Sequence, residues 1–235
     1  MLKCTTLLTV VSLAIPLSGA TIMGTNELKL TFSPTQDVTI VDTQNGDAGI
    51  NSAASGPPFL AGLAAIANAK GDPDFTLLSK NEFTANLGPG SAFSFDMFAR
   101  AEGLTLRNSG RFDANVVIHF VLIMNGTAEG PGTALFSMRN VVETRLDAND
   151  WTTIFDASID ANSPGALTVA DYCVSPNTCS GQLSVTVPVN SVVRVRSIAT
   201  AEGMVSEPEV PEPSALLLSG AGLSALLLFR RRFGK

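Results

Sequence analysis

Charge is scarce in this chain. Asp, Glu, Lys and Arg make up 15% of its 235 residues, against about 25% in an ordinary soluble domain, while 45% are hydrophobic. Part of the apolar content therefore belongs to segments that are not globular. Positive charge is scarcest between residues 21 and 210, where ten Lys and Arg face twenty Asp and Glu, a balance of −10. Such a surface repels phosphate backbones, which excludes nucleic acid as a partner. Histidine occurs once, at His119, inside an apolar run that predicts a satisfied or half-buried imidazole. No Gly-x-Ser-x-Gly elbow, His-Glu-x-x-His pair or phosphate-gripping glycine loop accompanies it, so nucleophilic and zinc hydrolysis lack their parts. Glycoside hydrolysis needs two carboxylates at a set separation. Most acids here, such as Asp37, Asp42, Asp147 and Asp150, fall in turn-like segments where turn chemistry and solubility explain them. The chain is read as non-enzymatic.

Trp and Tyr also occur once each, at Trp151 and Tyr172. Carbohydrate recognition uses exposed aromatic faces, which makes these two the candidates; the competing reading packs Trp151 into the core. No organic cofactor is expected. The loop Asp-Thr-Gln-Asn-Gly-Asp places Asp42, Asn45 and Asp47 as oxygen ligands for calcium, although no Glu stands where a twelve-residue calcium loop needs one. A solvated turn is the alternative.

The amino terminus has one early charge, Lys3, then a short apolar run from Leu7 to Leu17 and the small residues Ser18-Gly19-Ala20. That order is a secretory signal peptide over residues 1–20, with cleavage by signal peptidase after Ala20. The run is too short to span a hydrocarbon core, which takes roughly 20 residues. Cys4 precedes it and is misplaced for lipidation. In an exported chain, Cys173 and Cys179, separated by Val-Ser-Pro-Asn-Thr, predict a small disulfide ring, with two free thiols as the alternative.

The carboxyl end reads Pro211-Glu212-Pro213, then Ser214 and an uncharged, Leu-rich stretch to Phe229, then Arg230-Arg231-Arg232. The two prolines hold their element extended and remove two N–H donors. Helix is the state in which the apolar stretch satisfies its own backbone in lipid. Three arginines at its end stop transfer and stay cytoplasmic, leaving the domain outside. This tail resembles the PEP-CTERM sorting signal: a Pro-Glu-Pro motif, a hydrophobic helix and a basic end. The resemblance covers about a tenth of the chain. It implies recognition by an exosortase, removal of the tail, and delivery to the surface or exopolysaccharide matrix of a Gram-negative bacterium.

Between the ends the periodicity is that of strands. Phe93, Phe95, Met97 and Ala99 alternate with Ala92, Ser94, Asp96 and Phe98 within Ser91 to Leu106. Asn115 to Met124 is apolar on both faces and is expected to enter a turn at Asn125-Gly126. Glu27 to Phe32, Val38 to Val41, Thr133 to Val142, Trp151 to Ile159, Gln182 to Val187 and Ser191 to Ala199 are further strands, the last two expected as a hairpin. Pro58 to Lys70, with Leu60, Leu63, Ala64 and Ala67, is read as a short amphipathic helix, although alternate residues also fit a strand. The expected fold is all-β, an antiparallel β-sandwich of jelly-roll or immunoglobulin-like kind. The expected organisation is a signal peptide (1–20), a domain (21–204), an acidic Pro-rich stalk with the Pro-Glu-Pro element (205–213), a transmembrane helix (214–229) and a basic tail (230–235). The expected function is a structural protein of the bacterial surface or matrix. A polysaccharide-binding module and an unprocessed single-pass membrane protein are the rivals.

Overall fold

Alternation of buried and exposed side chains governs the long strands of the described chain. The computed structural model describes residues 20–33, 35–42, 46–56, 60–71, 75–129, 133–163, 168–169 and 178–207. The expected signal peptide before Ala20, the sorting tail, Cys173 and Tyr172 lie outside these residues. Among the described residues twelve strands are formed: β1 (Ala20–Ser33), β2 (Val38–Asp42), β3 (Asp47–Ser55), β4 (Leu60–Lys70), β5 (Thr76–Leu87), β6 (Ala92–Asn108), β7 (Ala114–Glu129), β8 (Thr133–Leu146), β9 (Thr152–Ser163), β10 (Thr168–Val169), β11 (Thr178–Val187) and β12 (Val192–Ser206). No helix occurs among the described residues, and none there is long and apolar enough to cross a membrane.

The strands form two antiparallel sheets. One has the order β11-β7-β1-β5-β4; the other runs β10-β9-β8-β12-β6-β2, with β3 continuing beside β6. Their facing sides enclose one apolar core. Ile22, Leu28 and Leu30 of β1 and Ile118 and Leu122 of β7 meet Met97 and Leu104 of β6 and Phe136 and Met138 of β8, all buried. Phe83 of β5 joins the sheets directly, its ring 4.7 Å from Phe95 and 5.3 Å from Phe136. Aromatic pairs at such spacings add about 0.5–1.5 kcal/mol beyond the area they bury.

A polar belt crosses this core and sets the sheets' mutual register. Asn26 Nδ2 donates to the carbonyls of Thr200 (2.7 Å) and Arg139 (3.2 Å), and Asn26 Oδ1 accepts from Asn140 Nδ2. Asn81 Nδ2 donates to the Ala199 carbonyl at 2.8 Å, while the Ser79 and Ser197 hydroxyls share a 2.7 Å bond. Asn26, Ser79, Asn81, Asn140 and Ser197 are all fully buried. Each bond ties one sheet to the other, so a sliding shift of either would strand several polar groups in an apolar interior.

Four sequence expectations are corrected. The helix expected over Pro58 to Lys70 is not formed in its described part: Leu60–Lys70 is a strand paired along its length with β5. Its alternation decides the matter, because Leu63, Ala65, Ala67 and Ala69 at every second position pack toward the core, and β5 offers the ladder partners that a lone helix would not use. Gln182–Val187 and Ser191–Ala199 do not form a hairpin. β11 adds to β7 in one sheet, whereas β12 fills the slot between β6 and β8 in the other, pairing with both over almost its whole length. Asn125-Gly126 is not a turn, since β7 runs through it to Glu129. Gly126 lies opposite Gly24, and a Cβ on it would stand 2.4 Å from the Phe136 ring, so glycine here makes room for an aromatic. Finally, the domain continues past residue 204. Val205 is fully buried and pairs with Phe93 and Ala134, and Glu207 N donates to the Ser91 carbonyl at 2.9 Å. Ala20, the expected cleavage residue, is the first residue of β1 and stands opposite Leu87.

Candidate functional site

Two strand irregularities open the outer face of the seven-stranded sheet near the β8–β9 connection. Gly103 of β6 has a φ of 132° and occupies the place where the β12 register shifts between Val195 and Arg196. A second shift falls at Val142/Glu143 against β9. Bulges bend and twist their strands, and these two flank one patch. Asp147 then turns the chain with a φ of 49°, its N bonded to the Val192 carbonyl at 2.8 Å and its Oδ1 accepting from Val192 N at 3.1 Å. That turn delivers Trp151 onto the sheet. The expected turn at Asp147 to Asp150 is thus present.

Trp151 is half-buried, and two guanidiniums pack on its ring: Arg196 Cζ lies 4.0 Å and Arg145 Cζ 4.8 Å from the centroid. Arg196 also binds Glu143 at 2.6 Å and lies 4.0 Å from Glu102. Together with Glu102, Gly103, Thr105, Arg194 and Val195, Trp151 and Arg145 line a cavity of about 360 Å³, within the range of small-molecule pockets. The arrangement presents cationic donors beside an aromatic body, which suits an anionic ligand; it offers no nucleophile with a base. Sequence reasoning singled out Trp151 but not its arginine partners. Arg194 and Arg196 sit two apart on β12 and so share a face, and Arg145 of β8 stands directly opposite Arg194, a neighbour that shows in the sequence only once β8 and β12 are known to be adjacent.

A second, shallower cavity of about 620 Å³ lies over the five-stranded sheet, lined by Met23, Thr25, Glu82, Thr84, Asn125 and Thr127 among others. Its one acid is held by Lys80 at 2.7 Å. The hydrogen bond that Lys80 donates to Glu82 holds its ammonium above its ordinary pKa, and the nearby Glu82 and Glu27 charges add to this.

The remaining expected residues are scattered. His119 is exposed rather than half-buried, because the parity of β7 turns odd-numbered residues outward; its cross-strand neighbours are Thr31 and Gln182, and neither is an acid. Asn45 lies outside the described residues, and Asp47 is engaged by Arg100 at 3.1 Å. Asp42 ends β2. Among the described residues no three His, Cys, Asp or Glu side chains converge as a metal site. Cys179 is disulfide-bonded, and the other two cysteines, Cys4 and Cys173, fall outside the described residues. Pro211, Glu212 and Pro213 and Arg230, Arg231 and Arg232 also fall outside them.

Comparison with known proteins speaks to that tail. Residues 209–232 match the family described as the PEP-CTERM protein-sorting motif. No curated protein and no solved structure matches the chain. The chain therefore carries a PEP-CTERM sorting signal attached to an all-β antiparallel domain, and that signal implies export and exosortase sorting toward the cell envelope.

Proposed function

We propose that this chain is an exported, non-catalytic structural component of the bacterial surface or extracellular matrix, made as a membrane-anchored precursor and released from its tail by an exosortase. The observation that carries the reading is the sorting match at residues 209–232. The apolar stretch 214–229 and Arg230 to Arg232 fall where a transient anchor with a cytoplasmic stop needs them, and residues 1–20 have the pattern of a signal peptide. A two-layered sandwich is the finer description favoured for the domain, with a polysaccharide of the matrix as its surroundings.

The edges of the domain suit a protein that builds assemblies. Residues 48–69, which include almost all of β3 and β4, contain no charged side chain, and neither does β11. β4 and β11 are the outermost strands of the five-stranded sheet. Soluble proteins commonly guard such edges with Lys or Pro. Replacing Pro211, Glu212 and Pro213 together by alanine tests the sorting half of the proposal: the variant is expected to stay full-length in the membrane fraction, and unchanged size and location would defeat it.

A polysaccharide-binding module is the second reading, favoured by the arginine-lined cavity beside Trp151.

A further inference from the structure

Two rows of side chains run across β6, β12 and β8 on the outer face of the seven-stranded sheet. In the first, Arg196 stands between Glu102 and Glu143, so charge alternates and is satisfied. In the second, Arg194 stands between Thr105 and Arg145. Like charges directly opposite one another on paired strands repel, and among the described residues neither Arg194 nor Arg145 has a carboxylate at ion-pair distance. Arg145 Nε is moreover sealed from water without an acceptor. A buried donor left unmade costs the fold more than a bond gains it. This occurs in a domain whose balance is −10, where a free acid from the chain itself would be the ordinary neighbour.

We propose that the cavity between Thr105, Arg145, Trp151 and Arg194 binds the carboxylate of an acidic saccharide. Two guanidiniums from directly paired positions of β8 and β12 supply donors for both oxygens of a carboxylate, whose charge relieves their mutual repulsion as it enters. Stacking on Trp151 holds Arg145 in place without using its N–H groups, which leaves its terminal nitrogens for the ligand. The Thr105 hydroxyl offers a bond to a ring hydroxyl, and a volume of about 360 Å³ admits a single sugar unit. Glu102 on the same wall, shared between Arg196 at 4.0 Å and Arg100 at 3.9 Å, disfavours a doubly charged phosphate and favours one negative charge per unit. The site deepens the polysaccharide-binding reading above and rests on it.

The test is calorimetric titration of the full chain in a non-ionic detergent with oligogalacturonate, with its methyl ester and with the galacturonate monomer. Oligogalacturonate is expected to bind, and the methyl ester at least tenfold more weakly. Arg194 is exposed, so Arg194→Ala should keep the urea midpoint while weakening binding at least tenfold; Arg194→Glu should abolish it. Binding of the monomer as well assigns recognition to a single unit, and binding of the oligomer alone assigns it to the polymer; both support the site. Three results would overturn it: no binding of the oligomer, equal binding of acid and ester, or an unaltered affinity in Arg194→Ala. Equal binding of acid and ester removes the carboxylate site yet leaves polysaccharide binding standing, whereas absence of all binding removes both.

Discussion

Replacing Asn26 by alanine strikes the polar belt at its most connected point. The side chain is fully buried and makes three contacts with the opposite sheet: two donated bonds to main-chain carbonyls of Thr200 and Arg139 and one accepted from Asn140. Each bond contributes about 0.5–1.5 kcal/mol net, and a buried partner left unpaired costs about 1–3 kcal/mol. Asn140 Nδ2 loses its acceptor in the variant, and Asn140 Oδ1 already lacks a partner. Asn26→Ala should therefore cost about 2–4 kcal/mol. With a urea dependence of about 2 kcal/mol per molar, that lowers the unfolding midpoint by roughly 1–2 M. Equilibrium urea unfolding followed by circular dichroism reads it directly. A loss below about 0.5 kcal/mol, the size of an ordinary surface substitution, would refute the claim that the belt registers the sheets.

Gly126→Ala is expected to destabilise by about 1–3 kcal/mol, the usual cost of overpacking, because its Cβ would meet the buried Phe136 ring at 2.4 Å and the Met23 carbonyl at 2.9 Å; thermal unfolding checks this. Asp156 accepts two bonds from Arg139, and these hold its carboxyl below the ordinary range while raising the Arg139 guanidinium. A lowered carboxylate pKa stabilises above the unfolded value and is lost as pH falls through the folded one, so Asp156→Asn should cost less than about 1 kcal/mol at neutral pH for so exposed a pair, and the difference should vanish in acid below the ordinary carboxylate range. Non-reducing peptide mapping of the exported protein is expected to join Cys179 to Cys173; a free Cys173 would contradict the ring.

Alternation was legible wherever one face of a strand is buried and the other wet. Phe93, Phe95, Met97 and Ala99 are all buried, as their spacing requires. It misled where local pattern was ambiguous. The Ala-rich run of β4 satisfies both helical and strand periods, and only the presence of β5 beside it decides. Gly126 carries a turn signal in sequence, yet its role is to yield space to a ring contributed by another strand. The link after β11 looks like a hairpin, but strand order is a property of the whole sheet that a pair of neighbouring segments does not contain. The site was legible only in part for the same reason. Trp151 stands out as the single tryptophan, whereas Arg145 and Arg194 lie almost fifty residues apart in the chain and become neighbours through β8–β12 pairing. Nothing local in the sequence marks Asn26 and Asn81 as the inward groups that cross between sheets.

The most direct test of the account is the intact mass of the protein harvested from the surface of a host that carries an exosortase. A chain beginning at Thr21 and lacking the apolar stretch and arginines beyond Pro213 is the predicted result. Recovery from that surface of the whole 24.5 kDa polypeptide, with both ends in place, would contradict it.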